Sequence, residues 1–238
     1  MHKKYLLSEL VAATAVALVS GCADGPIPEN RVLNPWVRKQ WAEDEQRVTT
    51  YHKKVADLAE LRKKASTMPP GEKEETATHL AARLREERSP ALRGELIRTL
   101  AAINTPVGQQ AILAGITDEA TSVRVLSCKA LGEAPTAEGF QALSNVITSD
   151  AELDVRVAAA QQLGKFRNFE APKALRPALD DRDPALQIAA MQSLEAVDGH
   201  AEYRRNVNVW REHLDGGSPS PPPGPSIAEV VKQYWSWF

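Results

Sequence analysis

The segment Asp154-Val-Arg-Val-Ala-Ala-Ala-Gln-Gln-Leu-Gly164 has a close copy 32 residues upstream, Ser122-Val-Arg-Val-Leu-Ser-Cys-Lys-Ala-Leu-Gly132. Weaker copies flank the pair, Ala91-Leu-Arg-Gly-Glu-Leu-Ile-Arg-Thr-Leu-Ala101 before it and Ala185-Leu-Gln-Ile-Ala-Ala-Met-Gln-Ser-Leu-Glu195 after it. The leucines that close the four copies, Leu100, Leu131, Leu163 and Leu194, are spaced 31, 32 and 31. A fixed period in this range predicts stacked supersecondary units, not one globular core. A second pair of columns runs in the same register: Leu80, Ile112, Leu143 and Leu175, then Leu84, Ile116, Ile147 and Leu179. Each second helix therefore offers one apolar face to the same place in the next unit. The expected fold is all-α, a short solenoid of about five helical pairs near 43–88, 89–119, 120–151, 152–183 and 184–214.

Local signals fit that division. Apolar Val48, Tyr51, Val55, Leu58, Leu61 and Ala65 mark a helix from Glu43 to about Ser66, and Met68-Pro-Pro-Gly71 separates it from a second over 72–87. Ser89-Pro90 and Asp183-Pro184 read as a capping side chain before a first-turn proline, while Ser122 and Asp154 read as caps alone. Gly132 and Gly164 are expected to end the first helices in the left-handed conformation. Tyr203, Val207, Trp210 and Leu214 form a bulky stripe expected to cover the last unit.

With its Val-Arg opening and Leu-Gly close, the interior copy resembles a HEAT-type repeat, in particular the short variety named after the phycobilisome lyases. The likeness covers about residues 89–214. It implies that Arg93, Arg124 and Arg156 join an inter-repeat polar ladder with an aspartate, which should fail where Gln187 stands. It also implies that the second helices line the concave side. There Gln110, Gln141 and Lys173 form a polar column spaced 31 and 32, with Asn145 and Arg176 nearby. That column is either a groove for a polypeptide or an ordinary solvated face.

The ends carry different signals. Residues 1–21 read as a removable signal peptide, with a basic start, His2-Lys-Lys4, and an apolar run from Val11 to Val19 shorter than the ~20 residues of a membrane span. Val19-Ser-Gly-Cys22 resembles the lipobox of bacterial lipoproteins, which implies lipidation of Cys22 and attachment to a membrane of the bacterial cell envelope, inner or outer. Residues 22–42 form a proline-rich tether whose Trp36 and Trp41 either meet the bilayer or cover the open end of the stack. After a Pro/Gly/Ser linker at 215–226, residues 227–238 are expected to form an amphipathic helix ending in Tyr234, Trp235, Trp237 and Phe238. Such a face needs a cover, from the solenoid itself, a partner groove or the bilayer interface.

Nothing in the sequence announces chemistry. A net charge of −2 gives no electrostatic footprint for nucleic acid. His52, His79, His200 and His213 are scattered without metal-ligand spacing, and neither a phosphate loop nor a nucleophile elbow occurs. Cys128 reads as a small packing residue and Asp180-Asp-Arg-Asp183 as helix capping and charge pairing. The expectation is a non-enzymatic chain without cofactor, metal or small-molecule substrate, a membrane-anchored scaffold that holds a protein partner. The alternatives are a structural part of the envelope or a tetrapyrrole lyase, from whose substrates an exported chain is separated.

Overall fold

Among the described residues the chain is helical wherever apolar residues recur at three and four, and no strand occurs. The computed structural model of the protein describes residues 51–167, 170–203 and 205–220. The chain divides into two units, Met1–Lys54 and Val55–Phe238. The first is described only at Tyr51–Lys54, the opening turn of α1 (Tyr51–Lys64), where the Tyr51 and His52 rings meet edge to face at 5.7 Å. The second unit carries the rest of α1 and every later described helix. After α1 and α2 (Pro70–Glu86) come three helical pairs: α3 (Pro90–Ile103) with α4 (Pro106–Gly115), α5 (Thr121–Glu133) with α6 (Ala137–Ser149), and α7 (Leu153–Leu163) with α8 (Ala171–Leu179). The last comprises α9 (Pro184–Asp198), a 3-10 turn (Ala201–Tyr203) and α10 (Val207–Leu214). Residues 43–50 of the expected first helix lie outside the described residues, as do the signal, the tether with Cys22, and the aromatic tail.

The sequence columns become the core. Successive first helices α3, α5, α7 and α9 pack on one another, and each also packs on the second helix of the unit before it. Leu100, Leu131, Leu163 and Leu194 are inaccessible to solvent, as are Ile112, Leu143 and Leu175, while Leu80 is buried. At ~1.5–3 kcal/mol for each fully buried leucine or isoleucine, these columns outweigh any local propensity in setting the register. Leu84 and Ile116 are only partly buried where Ile147 and Leu179 are fully so, because the second column thins toward the N-terminal units.

Helix ends hold several departures from the sequence reading. Ser89 and Asp183 do cap α3 and α9, accepting from the Leu92 and Ala185 N–H groups, and Thr105 and Thr136 cap α4 and α6. Ser122 and Asp154 do not cap. The helices begin one residue earlier than those positions, and Asp118 and Asp150 bond instead to the N–H two residues on, at 2.8 and 2.9 Å, turning the chain before the helix starts. Gly132 and Gly164 are likewise not left-handed. Those stops are Asn104 (φ 52°) after α3 and Gly199 (φ 84°) after α9, in the two copies that lack the repeat glycine.

The repeat glycines serve close packing. A Cβ on Gly132 would lie 2.8 Å from Gln162 Cβ, and one on Gly164 would lie 3.0 Å from Ser193 Cβ and 3.1 Å from its Cα. Their hydrogen atoms thus let consecutive first helices approach. The C-terminal stripe is also interrupted. Tyr203 belongs to the 3-10 turn, and Asn206 starts α10 by accepting from the Asn208 and Val209 N–H groups. The break still brings Tyr203 and Trp210 together edge to face at 5.1 Å, with Trp210 wholly buried.

Candidate functional site

Four residues in repeat register, Glu87, Asp118, Asp150 and Asp181, stand where one unit passes to the next. Each side chain accepts the N–H two residues on: Ser89, Ala120, Glu152 and Asp183. Arg93 reaches Asp118 with two bonds of 2.8 Å and donates to the Glu87 and Arg88 carbonyls. Arg124 repeats this with Asp150 at 2.8 and 3.1 Å and with the Asp118 and Glu119 carbonyls. Arg156 donates to the Asp150 and Ala151 carbonyls and lies 3.5 Å from Asp181. Gln187 corrects the expectation that the ladder fails there, because its amide still donates to the Asp181 carbonyl at 2.7 Å. Only the charged half is lost, since an amide supplies a donor without a charge.

These pairs are structural. Burial alone would raise the Asp118 and Asp150 carboxyls, but the hydrogen bonds from Arg93 and Arg124, with those from the Ala120 and Glu152 N–H groups, hold both below the usual carboxylate range. Burial also pushes the Cys128 thiol up to about 12, which leaves it protonated and unreactive. Of the Asp180–Asp183 group, Asp180 pairs with Arg176 and Arg211, Asp181 with Arg156, and Asp183 caps α9.

The exposed row is separate from this ladder. Gln110, Gln141 and Lys173 are exposed at matching places on α4, α6 and α8, as the spacing predicts. Asn145 accepts a bond from Gln141 at 3.1 Å, and Lys173 reaches back to Glu170. Arg176 is committed elsewhere, bonding Asp180 and holding Asp215 through two bonds of 3.0 Å, so it fastens α8 to the end of α10. The structure does not bring the five together in one pocket. Gln110 lines a cavity of about 820 Å³ with Leu84, Arg85, Arg88 and Glu119, and Asn145 lines a smaller one of about 470 Å³ beside Arg124 and Asp150. Both mix polar and apolar walls beside the ladder. Tyr234, Trp235, Trp237 and Phe238 lie outside the described residues.

A further group was not visible in the sequence. The left-handed turn at Gly199 and the break before α10 bring His200, His213 and Asp198 together, their ligand-type atoms all within 4.8 Å of one another. His213 Nε2 is 2.7 Å from Asp198 Oδ2 and the two imidazole rings meet at 4.6 Å. The sequence signal, Asp198-Gly-His200 with a histidine 13 residues on, matches no helical ligand spacing, so only the reversal of the chain makes it a cluster.

No helix among the described residues is long and apolar enough to cross a membrane. Compared with known families, residues 77–156 and 140–205 match the family model for HEAT repeats, together more than half of the chain. Among curated proteins, no match to the chain was found.

Proposed function

Since the chain belongs to the HEAT-repeat family, we propose that it is a scaffold, anchored to a bacterial envelope membrane through lipid on Cys22, that binds a protein partner along its second helices. The observation that carries the reading is the split use of those helices. Leu80, Ile112, Leu143 and Leu175 are committed to the core, while Gln110, Gln141 and Lys173 stand exposed in one register. Neutral amides and one cation in a row suit hydrogen bonding to a polypeptide, and the cavity beside Gln110 gives an apolar side chain somewhere to go. The ladder keeps successive units from shifting, so the row is presented on a stiff support. Anchoring would raise the partner's effective concentration at the membrane without adding contacts. Binding of this kind needs no cofactor and no catalytic group.

Photo-crosslinking residues placed at Gln110, Gln141 and Lys173, and separately at Lys129 and Gln192 on exposed positions of the first helices, test the surface in intact cells. The expected result is one polypeptide captured from the second-helix positions alone; capture without preference for either set refutes the assignment. The anchor is tested separately by metabolic labelling with a fatty-acid analogue, which Cys22→Ala should abolish.

A further inference from the structure

The C-terminal cluster has the parts of a metal site. Two imidazoles and a carboxylate supply three donors, as in zinc centres that keep a fourth position open to water. The surroundings fit as well. His200 Nδ1 is 2.8 Å from Glu202 Oε1, and His213 Nδ1 is 3.4 Å from the Tyr203 hydroxyl. A carboxylate or hydroxyl on one ring nitrogen fixes the tautomer that leaves the lone pair on the other, the usual outer arrangement of a metal-ligating histidine. The rings are also held in place: His200 stacks on Tyr203 at 4.6 Å, and the His213 ring lies 6.2 Å from that of buried Trp210. About a quarter of the side-chain surface of His213 and Asp198 is exposed, so an ion can enter.

We propose that Asp198, His200 and His213 bind a divalent transition cation of the zinc type, with Glu202 and Tyr203 as positioning residues. Ligand atoms around tetrahedral zinc stand about 3.4 Å apart, as metal–ligand bonds of ~2.0–2.2 Å require. The 2.7 Å contact between His213 and Asp198 opens slightly and the widest separation, within 4.8 Å, closes. With its proton on Nδ1, facing the Tyr203 oxygen, His213 would offer Nε2 to the metal. Because Asp198 ends α9 and His213 lies in α10, the ion cross-links the two helices that close the array. Calcium and magnesium, which prefer oxygen donors, are not expected to bind.

The full-length protein, stripped with a chelator, is titrated with Co²⁺ and then Zn²⁺. The expected result is one equivalent bound with the visible absorption of four-coordinate cobalt, displaced by zinc. A hundredfold excess of zinc over Kd should raise Tm by about 5 °C or more. His200→Gln, at a partly exposed position, should abolish the cobalt spectrum and the Tm shift, with unchanged circular dichroism showing that the variant is folded. Glu202→Gln should weaken affinity by about 10–100-fold while keeping the spectrum. Absence of stoichiometric binding, or binding unchanged in both His200→Gln and His213→Gln, overturns the proposal.

Discussion

Replacing Arg124 by methionine tests whether the ladder holds the units together. The change removes bonds of 2.8 and 3.1 Å to Asp150 and bonds of 2.9 and 3.3 Å to the Asp118 and Glu119 carbonyls. Only 9% of the Asp150 side chain is exposed, so water replaces little of what is lost. Removing one member of a buried pair costs about 3–5 kcal/mol. Two features place this case near the lower end, at ~3 kcal/mol. The Glu152 N–H remains on the carboxylate, and methionine keeps most of the packing of the arginine stem.

The cost has a sign in pH. The folded carboxyl of Asp150 titrates below its ordinary value, so its stabilisation is present above the unfolded pKa of ~3.9 and is lost as pH falls through the lower folded value. In the variant the carboxyl stays buried without its cation and takes up a proton at higher pH. The deficit is therefore largest near neutrality and shrinks toward about pH 4. Urea unfolding monitored by circular dichroism at about pH 7.5 and about pH 4 measures both values. In an Asp150→Asn background the same arginine change should cost about 2 kcal/mol less, because no charge is stranded. A deficit under about 1 kcal/mol at neutral pH, equal at both pH values, refutes the reasoning.

The packing sets three further outcomes. Gly164→Ala, just past the end of α7, should gain about 0.4–1 kcal/mol by restricting the unfolded chain and lose about 1–3 kcal/mol to overpacking against Ser193, for a net loss measured by urea midpoint. Trp210→Ala should cost about 3–5 kcal/mol, since the ring is inaccessible to solvent, with early loss of near-ultraviolet dichroism on heating. Cys128 should resist thiol reagents in the folded protein and react fully in denaturant, because it is both buried and held as a thiol with a pKa of about 12.

Much of the fold was legible because the apolar period is set by a single repeated packing event. Leu100, Leu131, Leu163 and Leu194 are all inaccessible to solvent, so spacing alone identified this part of the core. The helix starts were harder to place. Asp118 and Asp150 stand three residues before the helices they introduce, and a rule that inspects the residue beside the first apolar position settles on Ser122 and Asp154 instead. Glycine has two physical uses, left-handed turns and close approach, and only the neighbour distinguishes them. Gly132 meets Gln162 30 residues away, a contact invisible along the chain. Of the proposed binding row, the exposure of Gln110, Gln141 and Lys173 was legible from periodicity, whereas the diversion of Arg176 to Asp215 depends on where α10 lands. The His200–His213 cluster depends on the same landing.

Asp118 belongs to two joints at once: its carboxylate holds Arg93 and its carbonyl holds Arg124. Asp150 stands likewise between Arg124 and Arg156, and Asp181 between Arg156 and Gln187. A stitch dropped at one joint loosens the next, so rupture travels along the array like a run in knitted cloth. The uncharged stitch at Gln187 sets where the run begins, and amide exchange should quicken from α5 toward α9 and α10.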